Sequence, residues 1–287
     1  VMTTSDKSGY RNYASNIFQS SLSLTYDVPG VEGLSARALY SFDYSSNTDK
    51  AYRKEYALYG YDSQTEVYTP NLANSPSRVR RAFYEKKSTL LQLSLNYQRQ
   101  FAEKHNVSGL LLYEEGTLIG DNFYAMRELS LPVDQLFAGN VTNQEGNMDQ
   151  GGLYEFANKG LIGRVNYDFA ARYLTEFSFR YDGSSKFMKG ARWGFFPAAS
   201  IGWRLSEEPF FKRAAALSFV NDFKLRASYG RLGDDSGANF QFVSGYDYPA
   251  SGYIFNGNFI NGVGFRSAPN YNLTWYTATT ANAGVDL

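Results

Sequence analysis

Three pairs of adjacent carboxylate side chains are the residues whose types could do chemistry: Glu114–Glu115, Glu207–Glu208 and Asp234–Asp235. Two carboxyl groups on one substrate could act as general acid and general base, and a loop of carboxylates could bind Ca²⁺. Neighbours in an extended strand face opposite sides, so Glu114 and Glu115 cannot share a substrate. Glu207–Glu208 falls on a connection between predicted strands, where solvated charge is expected. Asp234–Asp235 lacks the evenly spaced oxygen ligands of a calcium loop, although calcium binding by the loops stays open.

Other catalytic and metal-binding residue types are scarce. His105 is the single histidine and the chain has no cysteine, which excludes a His-based triad, a multi-His metal site and a thiolate site within it. No glycine-rich segment has the spacing of a phosphate-binding loop. Lys+Arg and Asp+Glu both total 28, and this zero net charge argues against a nucleic-acid-binding protein. We therefore expect no enzyme activity, no catalytic residue, no metal ligand and no cofactor.

The elements that must position these side chains are predicted to be strands. The chain has 24 Tyr, 22 Phe and 26 Gly among 287 residues, a mixture that favours β structure. No segment approaches the roughly 18 consecutive apolar residues of a membrane helix. Val1 to Asn12 has no apolar core of a signal peptide, so we expect the N-terminus of an exported protein to lie upstream.

Alternation with a period of two is the main signal. In Thr89 to Phe101 the side chains of Leu91, Leu93, Leu95 and Tyr97 share one face, and polar residues share the other. The same pattern recurs at 35–44, 160–169 and 175–182. Each run is close to the roughly 9 to 11 residues of a tilted membrane strand, whereas strands of a soluble β-sandwich average about 5 to 6. The pattern favours a membrane barrel over a sandwich or β-solenoid.

Connection lengths agree with that interpretation. We predict strands near residues 16–27, 33–44, 87–101, 105–115, 159–169, 173–183, 194–206, 223–233 and 276–287. The connections are alternately short and long, as are the periplasmic turns and external loops of outer-membrane barrels. The long ones, at 45–86, 116–158, 184–193 and 234–276, are expected to be loops. The fold class is thus all-β, an antiparallel transmembrane β-barrel segment of about nine strands over residues 1–287.

The facing assignment divides the side chains into three sets. Aromatic residues at the two strand ends are predicted to form membrane-interface girdles: Tyr26, Tyr44, Tyr97, Phe101, Tyr167, Phe169, Phe179, Tyr181 and Trp203. Polar residues on the opposite face are predicted to line a lumen or contact a plug: Arg37, Asp43, Gln92, Asn96, Gln98, Arg164, Asn166, Asp168, Glu176, Arg180 and Asp182. Loop aromatics could stack on sugar rings or pack against neighbouring loops: Tyr246, Tyr248, Tyr253 and Phe255.

Four stretches carry a family resemblance. They are SSLSLTYDVPGVEGLSARALYSFDY at 20–44, RYDGSSKF with WGFFPAASIGWRLSEEPFF at 180–211, DFKLRASYGRLGDDSG at 222–237, and APNYNLTWYTATTANAGVDL at 268–287. In this order they resemble the SusC-type, TonB-dependent outer-membrane transporters. The resemblance implies part of a plugged barrel of about 22 strands. It also implies that the plug domain, the TonB-contacting segment and the closing strand lie outside this chain.

The resemblance further implies a function and partners. The complete protein is expected to import a large nutrient, a glycan fragment or a peptide, across the bacterial outer membrane. Expected partners are outer-membrane lipid, a SusD-like surface lipoprotein that helps capture the substrate, and TonB, which supplies energy; no nucleic acid is expected. Two alternatives stay open: a passive porin or adhesin-like barrel without a plug, and a soluble β-rich carbohydrate-binding protein.

Overall fold

Strands dominate the computed structural model, which describes residues 4–214 and 219–287. They are β1 (Gly9–Asp27), β2 (Leu34–Arg53), β3 (Tyr56–Asp62), β4 (Val67–Ala73), β5 (Arg78–Phe101), β6 (His105–Leu129), β7 (Gly139–Asn147), β8 (Tyr154–Phe169), β9 (Tyr173–Ser184), β10 (Trp193–Arg204), β11 (Lys224–Asp234), β12 (Tyr246–Phe255), β13 (Asn258–Phe265) and β14 (Tyr276–Asp286). Helices are limited to α1 (Ser5–Ser8), α2 (Pro209–Arg213) and three 3₁₀ turns, Leu136–Ala138, Gln150–Gly152 and Leu205–Glu207. Within the described ranges, no helix has the length and apolar character needed to cross a membrane.

The main sheet has the strand order β1-β2-β5-β6-β8-β9-β10-β11-β14, with β7 paired to β6. These nine strands are the nine predicted from the sequence, and the prediction of barrel-type strands is confirmed. Consecutive long strands are neighbours because tight turns join them at one end; 102–104 and 170–172 are such turns. Ala102, Glu103, Ala170 and Ala171 all have positive φ there, the conformation that a two- or three-residue hairpin demands.

Three of the four long connections were wrongly expected to lack regular structure; the one at 184–193 has none between β9 and β10. β2 continues to Arg53, β5 begins at Arg78 and β6 continues to Leu129, well beyond the predicted strand ends. Two separate hairpins, β3–β4 and β12–β13, and the strand β7 occupy much of the remaining length. The hydrophobic alternation used to find strands fades in these extensions, because both faces of a strand outside a bilayer can carry polar side chains.

The chain divides into two compact units. The first comprises residues 4–21, 41–89 and 117–155. Its small core consists of Tyr52, Val79 and Leu129, against which Tyr10 and Leu136 pack. Tyr10 and Tyr52 meet edge to face with ring centroids 5.8 Å apart, a favourable arrangement for two aromatic rings. This core therefore stabilises the strand extensions beyond the predicted ends.

The second unit comprises residues 22–40, 90–116, 156–214 and 219–287 and contains all the predicted site residues except Asp43 and Tyr44, which belong to the first. Here β8, β9, β10, β11 and β14 pair in continuous antiparallel register. Val165 lies opposite Phe177, which lies opposite Ala199; one residue along, Asn166 lies opposite Glu176, which lies opposite Ser200. The register therefore places apolar rows on one face of this sheet and polar rows on the other.

Burial is the reverse of that in a water-soluble domain. Although 43% of the chain is hydrophobic, only seven hydrophobic residues of the described ranges are fully buried. Leu93 and Leu95 are 46% and 49% exposed, so they do not pack inside a closed core. Soluble monomers rarely expose continuous apolar surfaces of this extent. The composition of the apolar face therefore suits contact with an apolar environment rather than with water.

Candidate functional site

The apolar face of the second unit ends in an aromatic row beside the short turns. Phe169, Tyr173, Trp203, Leu225 and Val285 are successive partners across five strands. The ring of Tyr173 stacks on the rings of both Phe169 and Trp203, with centroids 6.3 Å apart in each case. Amphipathic rings at a constant level are typical of the membrane–water interface. Three members, Phe169, Tyr173 and Trp203, therefore have the arrangement that a girdle requires.

A second aromatic level lies toward the other end of these strands. Tyr181 stacks on Trp193 with centroids 4.9 Å apart, and Phe179 contacts Phe195 at 5.9 Å. Trp193 was not in the predicted girdle, although its position at the start of a strand could have indicated it. Tyr167 hydrogen-bonds the His105 ring at 2.8 Å, one row above Phe169.

The other predicted girdle residues have varied surroundings. The Tyr44 hydroxyl group donates to Glu85 at 3.2 Å, and Lys87 lies over the Tyr44 ring, so this residue is among charges rather than aliphatic side chains. The Arg99 guanidinium lies 5.0 Å from the Phe101 ring centroid. Tyr26 is 61% exposed on an edge strand, and Tyr97 is partly buried on β5. The girdle role of all nine stays a prediction.

The polar face of the second unit encloses a concave space of about 1520 Å³. Five of the eleven predicted lumen residues line it: Asn96, Gln98, Asn166, Asp168 and Glu176. Hydrogen bonds across β6 and β8 order this surface, from Asn166 Nδ2 to Ser108 Oγ at 3.1 Å and from Asn106 Nδ2 to Asp168 Oδ2 at 3.4 Å. The surface combines neutral donors and acceptors with charged residues of both signs. Such a surface suits a hydrated polar interface.

A charged cluster on the same face unites three further predicted residues. Gln92 donates to Glu114 at 2.6 Å, Arg180 lies 3.9 Å from Glu114, and Arg180 donates to Asp182 at 2.9 Å. Arg180 on β9 reaches Glu114 on β6 across the intervening strand β8. Gly160 lies on β8 at that point, and a Cβ atom there would come within 2.4 Å of Asp182 Oδ1. Because Gly160 has no side chain, there is space over β8 for the ion pair between Arg180 and Glu114.

Glu115 belongs to the opposite face, as the sequence predicted. Its carboxylate accepts from the Tyr113 hydroxyl group at 2.7 Å and pairs with Lys159 at 3.2 Å. Glu114 bonds the polar-face residues Gln92 and Arg180 instead. Adjacent carboxylates therefore have separate partners and cannot act on one substrate.

The remaining predicted lumen residues are Arg164, Arg37 and Asp43. Arg164 lies opposite Ser178 and thus diagonal to Glu176, the relation expected from the tight turn at 170–172. Arg37 is exposed near the start of β2, and Asp43 is partly buried in the same strand. The plug or substrate role of all eleven residues stays a prediction.

The expectation that Glu208 would be a solvated charge on the connection between β10 and β11 was wrong. It is only 6% exposed, and its carboxylate accepts from Tyr173 Oη at 2.6 Å and Trp203 Nε1 at 3.1 Å. Arg172 adds an ion pair at 3.4 Å. The Tyr173 hydroxyl group, followed by the Trp203 indole, holds the pKa of Glu208 below its ordinary value. Glu208 therefore fastens the β10–β11 connection to the aromatic row.

Three of the stretches that carry the resemblance meet in one packed cluster. Trp275 lies 5.6 Å from the Phe187 ring and 5.2 Å from the Phe196 ring, and its Nε1 donates to Arg192 O at 2.8 Å. Asp235 accepts from Ser184 Oγ at 2.8 Å and pairs with Lys186 at 3.5 Å. These motifs thus specify packing. Asp235 is occupied by protein partners, and the described ranges contain no group of three or more His, Cys, Asp or Glu suited to a metal ion.

The predicted loop aromatics lie on the β12–β13 hairpin. Tyr246, Tyr248, Tyr253 and Phe255 are between 61% and 74% exposed. Tyr246 contacts Phe265 across the hairpin at 5.2 Å, and Tyr253 meets Phe255 edge to face at 6.5 Å. Tyr246, Tyr253 and Phe255 thus have ring partners on the hairpin, and most of the surface of all four rings is uncovered.

Comparison with known proteins decides the family. Residues 3–287 match the family model described as "TonB dependent receptor-like, beta-barrel". The chain belongs to this family. Members are outer-membrane receptors and transporters rather than an enzyme family. The resemblance read from the four stretches is confirmed.

Named relatives of this TonB-dependent receptor barrel are longer proteins. TonB-dependent receptor P39 of Formosa agariphila is 33% identical over 196 residues, which are 67% of this chain and 18% of that protein. TonB-dependent receptor SusC of Bacteroides thetaiotaomicron is 40% identical over 130 residues, 44% of this chain and 12% of that protein. The chain thus spans less than a fifth of these relatives.

Solved structures confirm the fold of this TonB-dependent receptor barrel. The structure of the RagAB peptide transporter matches with a TM-score of 0.72 and 20% identity, over 96% of this chain and 28% of that chain. The RagAB peptide importer in its "open-open" state matches with a TM-score of 0.70. At this identity the similarity establishes the fold alone.

Several polar-face residues were missed by the sequence prediction. Lys224, Arg226, Asn106 and Ser108 line the concave space, and Glu114 anchors the charged cluster. A signal for β11 was present, because Lys224, Arg226 and Ser228 alternate with apolar residues. No comparable signal marks Glu114, whose partners on β5 and β9 are distant in sequence.

Proposed function

We propose that residues 1–287 form part of the transmembrane barrel domain of an active outer-membrane importer. Its cargo is a large nutrient, a glycan fragment or a peptide. TonB energises the complete protein through a segment outside this chain, and a SusD-like surface lipoprotein helps to capture the cargo. The observation that carries the proposal is the two-faced sheet of a TonB-dependent receptor barrel, apolar on one side and polar and concave on the other.

The outward face supports a location in the outer membrane. From Phe169 to Leu161 on β8 and from Tyr173 to Tyr181 on β9, the residues on this face are uncharged. Nine residues of a tilted strand lie within the roughly 9 to 11 that such barrels use to cross the membrane. The first charged residues beyond this uncharged stretch of the face are Lys159 and Glu115, which form an ion pair. We infer that this ion pair lies at the external edge of the hydrocarbon.

The inward face supports contact with a plug and with cargo. A concave space of about 1520 Å³ lined by Asn, Gln, Ser and a few charges can hydrate a moving polypeptide without binding it tightly. The charged cluster of Gln92, Glu114, Arg180 and Asp182 supplies firmer polar contacts on this face. We assign the eleven predicted polar residues to this plug and cargo surface.

The exposed hairpin supports a role in capture. Tyr246, Tyr248, Tyr253 and Phe255 present rigid rings, with small residues such as Ser251 and Gly252 between them. Such surfaces stack on sugar rings or pack against a partner protein. RagAB, whose structure is similar to this chain, is described as a peptide transporter, which supports a peptide as one class of cargo.

The test is uptake by cells that produce the complete protein. Deleting its gene should abolish growth on the cargo, and deleting tonB should abolish it equally while the barrel stays in the outer membrane. Uptake that persists without TonB would indicate a passive porin instead. A protein that stays folded and monodisperse without detergent would contradict the membrane location altogether.

A further inference from the structure

The connection between β10 and β11 has a short amphipathic helix at its start. In α2 the side chain of Phe211 is 8% exposed and packs on Phe223 at 5.9 Å, whereas the adjacent Phe210 is 59% exposed. Lys212 and Arg213 follow in the last turn, and Lys212 pairs with Glu207 at 2.6 Å. A large exposed apolar ring beside two cations is the composition of a helix that lies on a membrane surface.

Glu208 fixes where this helix begins. Its carboxylate is bonded to Tyr173 Oη and Trp203 Nε1, and both rings belong to the apolar face of the sheet. Pro209 and Phe210 follow directly, so α2 starts at the outer edge of the aromatic row. Ser206 secures the connection from the other side, since its Oγ donates to Asp222 at 3.1 Å and its N–H to Phe223 O at 3.2 Å.

We propose that α2 is an interfacial anchor, with the ring of Phe210 inserted among phospholipid headgroups at the short-turn end of the barrel. This inference rests on the proposed outer-membrane location. The occupant is a phospholipid surface because the exposed ring continues an apolar row that already faces lipid under that proposal. Arg213, exposed in the last turn, is placed to extend toward a phosphate group, whereas the Lys212 ammonium is paired with Glu207.

Glu208 is then a positioning residue for the anchor. A buried carboxylate with three donors holds the start of α2 at one level relative to Tyr173 and Trp203. Without that bond the connection could carry Phe210 away from the lipid. The anchor and the aromatic row act as one lipid-binding edge.

The experiment places a nitroxide spin label on single cysteines in the complete protein, reconstituted in vesicles of phosphatidylethanolamine and phosphatidylglycerol. The chain itself has no cysteine that would compete for the label. Labels go on Phe210→Cys, on Leu93→Cys in the apolar band and on Phe255→Cys at the exposed hairpin. Collision rates with oxygen, which concentrates in lipid, and with a water-soluble nickel chelate report the surroundings of each label.

The expected result is that the oxygen-to-nickel ratio of Phe210→Cys lies below that of Leu93→Cys in the apolar band and several-fold above that of Phe255→Cys. A Phe210 label that collides freely with nickel while the Leu93 label does not would overturn the anchor and leave the membrane location intact. A Phe210 label shielded from both reagents would mean that protein covers it, which also overturns the anchor. Nickel access at Leu93 as well would overturn the membrane location itself.

A second variant guards against misfolding of the cysteine protein. Phe210→Trp keeps an aromatic ring, and its fluorescence, taken as the difference from the parent, should be quenched by phospholipids brominated near the headgroup. Adding Glu208→Ala to Phe210→Trp should reduce this quenching if Glu208 positions the helix. Quenching unchanged by Glu208→Ala would contradict the positioning role, and an absence of quenching in Phe210→Trp alone would contradict the anchor.

Discussion

The two faces of the β8–β9–β10 sheet share one backbone and one register but differ in how they are stabilised. The outward face consists of rings and aliphatic side chains about half exposed, such as Phe177 at 50% and Val165 at 53%. The inward face consists of hydrogen bonds and ion pairs between strands, some of them reaching across a whole strand. The outward side chains need only be apolar, whereas the inward side chains meet water and polar partners.

This difference explains why tolerance to substitution should also differ. An apolar residue that faces lipid can be exchanged for another with little loss, but a charge there has no partner and no water. An inward residue already meets water and polar groups, so a new charge is hydrated. Substitutions that place the same group on each face test the comparison directly.

The largest effect is expected for Leu93→Arg. If Leu93 lies near the bilayer midplane, the arginine should destabilise the inserted barrel by about 2 to 4 kcal/mol. The matched control is Ser94→Arg, which puts the same side chain on the polar face and should change stability far less. Denaturant titration of the complete protein in vesicles and its yield in outer-membrane fractions measure both. Equal losses for the two variants would refute the facing assignment.

The second effect concerns close packing in the cluster around Trp275. A Cβ atom on Gly233 would come within 2.0 Å of the Phe196 ring, which is only 7% exposed and wedged against Trp275. Gly233→Ala should therefore cost about 1 to 3 kcal/mol through displacement of that ring. Gly237→Ala is the control, since the space around its Cβ position is open. A melting temperature of the Gly233 variant equal to that of the control would show that Phe196 can move freely.

The outward face could be predicted from the sequence because the signal is local. The alternation of Leu91, Leu93 and Leu95 predicts both a strand and its lipid-facing side from one short segment alone. Glu208 and Glu114 could not be assigned, since their environments depend on Tyr173, Trp203 and Arg180, which other strands supply. The strand extensions beyond Tyr44 and before Lys86 were also hidden, because a polar strand outside a bilayer lacks the alternation.

The third effect is a pH dependence at the edge between the faces. The folded-state pKa of Glu208 is lowered, so its stabilising contribution is present above the pKa of an unfolded Glu, about 4.3, and is lost as the pH falls through the folded value. The melting temperature of the complete protein should therefore decline below about pH 4. Glu208→Gln should melt lower at pH 7 and show a shallower decline in acid.

A control for that pH series is Glu66→Gln, on the exposed β3–β4 turn. It should reproduce the pH profile of the parent. If Glu208→Gln also retains the parent profile, the buried carboxylate is not the titrating group, and the β10–β11 connection is held by its other contacts, those of Ser206 and Phe211.

The smallest effect compares two ion pairs made by adjacent residues on opposite faces. Arg180–Glu114 lies on the polar face, with side chains 52% and 27% exposed, and Lys159–Glu115 lies on the apolar face, with side chains 48% and 35% exposed. In a double-mutant cycle with Arg180→Met and Glu114→Gln, the coupling should be about 0.2 to 1 kcal/mol, because water and the long N–O distance weaken the pair.

The coupling energies of the two ion pairs should respond differently to salt, although their side chains are similarly exposed. Raising the salt concentration from 0.1 M to 1 M shortens the Debye length from about 10 Å to about 3 Å and should remove most of the coupling of Arg180 to Glu114. Lys159–Glu115 borders hydrocarbon on one side, where mobile ions do not enter, so its coupling should survive the same change. If salt weakened both couplings equally, Glu114 and Glu115 would be facing the same solvent, and the division of this sheet into a wet side and a lipid side would not hold.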